Sequence, residues 1–150
     1  MRNDDAILTA AETRSLRCVA GMMIPPSTAH QVPGADDGTI FTDIVASLGL
    51  DAALVRQALR RLDTLAGGVF ADAGPARREA AAAALREDGG APLLALTRVV
   101  AQCYYRDDRV MRSLDMEVRA PFPKGFEVEQ GDWSLLDPVR SRAPFYRRTD

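Results

Sequence analysis

The sequence predicts an all-α fold, a small bundle of five to six helices with a long irregular C-terminal arm. Three observations carry that expectation. Apolar residues recur at three- and four-residue spacing over most of the first 116 positions, the pattern of helices buried along one face. No segment shows the two-residue alternation of a half-buried strand. From about Glu117 the periodicity stops, and four prolines and two glycines interrupt the chain from there to its end. The expected organisation is a helical body over 1–116 and an arm over 117–150 of the same domain.

The first helix begins at Thr9-Ala10-Ala11-Glu12. A threonine followed three residues later by glutamate is a capping box, each side chain bonding the other residue's backbone N–H. Leu16, Val19, Ala20 and Met23 then share one face. Pro25-Pro26 ends the helix, because proline lacks the N–H donor and pushes its predecessor out of the α region. Ser27 to Gly34 reads as a loop. A second helix runs from about Asp37 to Leu48, with Ile40, Phe41, Ile44 and Val45 inward and Gly49 as a left-handed stop. Asp51 is placed to cap a third helix to about Ala66, with Leu54, Val55, Ala58, Leu59 and Leu62 as its buried stripe. Gly67-Gly68 terminates it. Pro75 suits the first turn of a fourth helix, whose row Ala80 to Ala84 favours helix but offers little area to bury. Such a helix is either peripheral or packed very closely on a neighbour. Pro92 opens a fifth helix through Leu93, Leu96, Val99, Val100, Cys103 and Tyr104, and Asp107 caps a short sixth through Val110, Met111 and Leu114.

The arm differs in kind. Of the chain's nine aromatic residues, five lie here, namely Phe122, Phe126, Trp133, Phe145 and Tyr146. Disordered segments are poor in aromatics, so spaced aromatic anchors point to a segment that docks on a surface. Interfaces are enriched in aromatic residues and arginine, which adds Arg140 and Arg142 to the candidate partner-binding set. The surface receiving the arm is either the protein's own body or another chain.

No catalytic, cofactor-binding or metal-binding constellation emerges. His30 is the only histidine and stands in a Pro-containing loop without a nucleophile motif, which makes it a loop or interface residue. Cys18 and Cys103 are far apart, with no C-x-x-C spacing, and read as buried reduced thiols. The acidic pairs Asp4-Asp5, Asp36-Asp37 and Asp107-Asp108 lack calcium-loop spacing. Nineteen basic against 21 acidic residues give a net charge of −2, without the basic footprint of general nucleic-acid binding. No apolar run approaches the roughly 20 residues that span a bilayer, so direct membrane insertion is not expected. The start Met1-Arg2-Asn3-Asp4-Asp5 is acidic where a secretory signal is basic. The expected location is therefore cytoplasmic, or periplasmic if a signal was removed or lies on a partner.

The order Leu8-Thr9-Ala10-Ala11-Glu12, Met23-Ile24-Pro25-Pro26, Pro33-Gly34-Ala35 and a helix around Ile40 to Ile44 resembles the gluconate 2-dehydrogenase subunit 3 family. The resemblance covers about residues 7–115 and is most specific in the first third. It implies a non-catalytic helical subunit that binds and stabilises the large subunit of an FAD-dependent alcohol or sugar dehydrogenase of the glucose–methanol–choline type. In that picture FAD and the catalytic base belong to the large flavoprotein, and this chain carries no cofactor. The alternative is a self-contained helical enzyme or ligand-binding domain. Its pocket would lie between bundle and tail, with Tyr104, Tyr105, Trp133 and His30 as lining candidates. A third reading, a DNA-associated adaptor using Arg140, Arg142, Arg147 and Arg148, has the near-neutral charge against it.

Overall fold

The computed structural model describes residues 8–119, 122, 124, 125, 127 and 129–143. The chain divides into two compact units, one through Val118 and one from Arg119. Among the described residues there are seven α-helices and no strand. The body holds six, α1 (Ala10–Met23), α2 (Gly38–Ala46), α3 (Ala52–Ala66), α4 (Pro75–Asp88), α5 (Gly90–Tyr105) and α6 (Asp108–Ser113), and the second unit holds α7 (Asp137–Arg140).

The expected capping box closes at the start of α1. Thr9 Oγ1 accepts from the Glu12 N–H at 3.2 Å, and Glu12 Oε2 accepts from the Thr9 N–H at 2.8 Å. Glu12 also faces Arg56 of α3 at 3.5 Å, so the cap doubles as a tie between helices. After Met23 the chain turns through the two prolines. Ser27 and Val32 exchange backbone hydrogen bonds at 3.0 Å, and the Ala35 N–H returns to the Ile24 carbonyl at 2.9 Å. Gly34 is required there, since a Cβ would stand 2.9 Å from Pro26 Cδ and 2.5 Å from Asp36 Oδ1. Arg17 on α1 donates to the Asp36 carbonyl at 3.1 Å and lies 4.9 Å over the Phe41 ring. The segment from Leu8 to Phe41 is thus stitched to itself.

Helix α3 is the centre of the body. Val55, Ala58, Leu59 and Leu62 are fully buried, and α3 packs against both α4 and α5. Leu96, Val99, Val100 and Cys103 are buried from α5, Leu16, Val19 and Ala20 from α1, and Ile40, Phe41 and Ile44 from α2. Gly67 closes α3 at φ 72°, where a side chain is strained. The Gly67 and Gly68 N–H groups return to the Thr64 and Asp63 carbonyls, the paired bonds of a Schellman cap. The next turn, Phe70–Asp72, buries Phe70 completely. Its entry is held by Asp63, whose Oδ1 accepts from the Phe70 N–H at 2.8 Å.

Three local expectations are corrected. Asp51 does not cap α3; its carboxylate pairs instead with Arg98 of α5 at 2.5 Å, because a short 3-10 turn at Gly49–Asp51 leads into the helix. Helix α5 begins at Gly90 rather than Pro92, since proline is tolerated anywhere in a first turn whose N–H groups have no helical partner. Cys18 is half-buried, while Cys103 is fully buried; both are free thiols. The alanine-rich α4 combines both alternatives posed for it. It packs on α3 through Ala81 and Leu85 and leaves Arg77, Glu79 and Ala80 exposed.

Candidate partner-binding surface

The arm is not irregular throughout. Asp132 accepts from the Ser134 N–H at 3.0 Å and from the Ser134 hydroxyl at 2.6 Å. These bonds hold the Asp132 carboxyl below its usual pKa. They start a 3-10 turn, Trp133–Leu136, that runs directly into α7. Pro138 sits in the first turn of α7, where its missing N–H has no helical role. Arg140 reaches back to Asp137 at 3.4 Å, and the Arg142 N–H donates to the Val139 carbonyl at 3.1 Å. The Trp133 indole N–H donates to Gln130 Oε1 at 3.0 Å. Upstream, Arg119 donates to the Gly125 carbonyl.

This segment exposes its apolar side chains. Phe122 is 85% exposed, Trp133 59% and Leu135 74%. Of the predicted anchors, Phe122, Trp133, Arg140 and Arg142 all have exposed side chains. Phe126, Phe145 and Tyr146 lie outside the described residues. Sequence reasoning passed over Leu135, Leu136 and Val139, which are exposed beside Trp133. The signal was present: an Asx cap at Asp132, then apolar residues one helical turn apart, with Pro138 marking a helix start.

Within the body, α6 ends in a second Schellman cap. The Asp115 and Met116 N–H groups return to the Arg112 and Met111 carbonyls, with Asp115 at φ 56° where glycine is usual. Helix α6 is pinned to α2 by ion pairs. Arg109 bridges Asp37 at 2.7 Å and Asp107 at 3.0 Å, while Arg106 holds Asp43 at 2.5 Å and also donates to the Ser47 hydroxyl. The Arg109 guanidinium keeps the Asp37 and Asp107 carboxyls low, and Arg106 does the same for Asp43. Burial pushes the adjacent Cys103 thiol up, which leaves it protonated and inert. A cleft of about 560 Å³ opens beside these pairs, and the cations in its wall are already neutralised.

A larger cavity of about 700 Å³ lies between α1, α4 and α5. Of the four residues proposed to line a pocket, Tyr104, Tyr105, Trp133 and His30, none borders either cavity. Tyr104 is buried edge-on against Tyr105, with ring centroids 5.2 Å apart. His30 is exposed in its loop, with its N–H donated to Ser27 Oγ at 3.3 Å. Among the described residues no group of three His, Cys, Asp or Glu side chains is placed to hold a metal ion, and no single helix is long and apolar enough to cross a membrane. Compared with protein-family models, with curated proteins and with solved structures, the chain matches none.

Proposed function

We propose that this chain is the non-catalytic small subunit of an FAD-dependent alcohol or sugar dehydrogenase, and that it binds and stabilises the large flavoprotein through its C-terminal arm. The observation that carries the reading is the turn from Trp133 to Arg140. Its backbone is organised by its own caps, yet Trp133, Leu135, Leu136 and Val139 remain exposed. An exposed apolar cluster on a short pre-formed helical turn is the form in which a segment enters a partner's groove. Fully burying a side chain of this size stabilises a complex by about 2–3 kcal/mol, and pre-formed caps reduce the ordering cost. The resemblance of about residues 7–115 to the small-subunit family, most specific in the first third, supplies the kind of partner. FAD and the oxidative chemistry belong to that partner.

The test is affinity purification of the tagged full chain from its native host, beside a Trp133→Ser/Leu135→Ser variant. The expected result is a yellow complex with a flavoprotein of several hundred residues. The variant loses that partner at least tenfold while its far-ultraviolet dichroism stays unchanged. A chain that purifies alone as a stable monomer, or a variant that keeps its flavoprotein, overturns the proposal.

A further inference from the structure

The cavity between α1, α4 and α5 runs along one face of the alanine-rich α4. Positions 78, 82 and 86 fall on one stripe of that helix at four-residue spacing, and all three line the cavity. The middle position is alanine. A methyl group there leaves space that a larger residue would fill, and the opposite walls are apolar, with Val19 and Met23 from α1 and Leu93 and Leu96 from α5. At about 700 Å³ the space lies within the roughly 300–1,000 Å³ span of small-molecule sites.

The polar groups at its rim have one prevailing sign. Arg78 and Arg86 stand two turns apart, about 12 Å along the helix at 1.5 Å per residue, with Glu79 and the Thr97 hydroxyl also lining the space. Two guanidiniums and one carboxylate therefore border the space. No carboxylate among the described residues pairs with either arginine. Arg78 gives one terminal N–H to Cys18 Sγ at 2.9 Å, while its Nε–H is buried without an acceptor among the described residues. A guanidinium without a carboxylate partner beside an apolar space can hold an anion there by charge-assisted hydrogen bonds from its terminal N–H groups.

We propose that this cavity binds an amphiphilic anion, a linear alkyl carboxylate whose head group meets Arg78 and whose chain lies along Ala82 against the α1 and α5 walls. The assignment is independent of the small-subunit reading, since it uses only residues of the body. Methionine at positions 22 and 23 suits a flexible chain, because its thioether side chain adapts to irregular shapes.

Isothermal titration of the full chain with decanoate, decanol and decyltrimethylammonium tests the proposal. Decanoate is expected to bind saturably at one site, at least tenfold more tightly than the alcohol or the cation. Each methylene added to the carboxylate should tighten binding about fourfold, the equivalent of the transfer free energy of one buried CH₂. Arg78→Gln should remove the preference for the anion. Ala82→Leu, which puts an isobutyl group into the cavity and keeps helix propensity, should abolish binding with the helical dichroism retained. The proposal is overturned by absence of saturable decanoate binding, by equal affinity for the three head groups, or by an Ala82→Leu protein that binds as before. If either variant fails to fold, the head-group series on the unaltered chain still decides.

Discussion

Asp63 joins three elements of the body, and removing its side chain should cost the protein a measurable share of its stability. Its Oδ1 accepts from the Phe70 N–H at 2.8 Å and from the Ser15 hydroxyl at 3.5 Å, while Ser15 Oγ accepts from the Ala71 N–H at 3.4 Å. Phe70 and Ser15 are fully buried. Asp63→Ala leaves the Phe70 N–H without its acceptor in a place water reaches poorly, a penalty of about 1–3 kcal/mol. The Ser15 bond is at the limit of hydrogen-bond length and adds little. The expected loss is about 2 kcal/mol, or roughly 8 °C in Tm for a unit of this size. Asp63→Asn keeps a carbonyl oxygen at the same point and should lose only about half as much, since the charged acceptor is the stronger one. Urea denaturation followed by dichroism measures both. A difference of less than about 0.5 kcal/mol between Asp63→Ala and the unaltered chain would show that solvent already satisfies the Phe70 N–H, and the reasoning would fail.

Two further predictions concern the ends of the helices. Asp37, Asp43 and Asp107 have folded pKa values below their unfolded ones, so their contribution is fully present above about pH 5 and is lost as pH falls through the folded values. Each pair is partly exposed and contributes at most about 1 kcal/mol. Asp37→Asn/Asp107→Asn, which keeps capping side chains at both positions, should therefore lose less stability between pH 5 and pH 3 in urea titrations, and an unchanged loss would refute the assignment. The two Schellman caps should respond in opposite directions. Gly67→Ala strains a φ of 72° and should cost about 1 kcal/mol, whereas Asp115→Gly relieves a non-glycine residue at φ 56° and should raise Tm. Equal signs in thermal melts would show that neither cap is governed by backbone strain.

Much of the body is legible from local chemistry. Thr9 and Glu12 form their box, Asp37 and Asp107 cap α2 and α6, and Gly67 stops α3. Each of these depends on residues within a few positions of one another, and that is why spacing reveals them. Asp51 was misleading for the same reason. Its sequence position is that of a cap, but Arg98, 47 residues away, competes for the carboxylate. In the arm, the aromatics drew notice as isolated large residues, while the helical grouping of Trp133, Leu135, Leu136 and Val139 went unread beside the prolines.

What the sequence determined by itself is the all-α class, the order of the body helices and the change of character near residue 117, because periodicity, caps and proline act over one or two turns. Only the tertiary structure decided that the Leu8–Phe41 segment bonds to itself, that Asp63 holds the entry to Phe70, and that α4 leaves a cavity beside α1 and α5. An alanine at position 82 says only that a helix is favoured there. Whether the space above its methyl is filled or empty depends on how far away the neighbouring helices pass, and that distance is set by side chains remote in sequence.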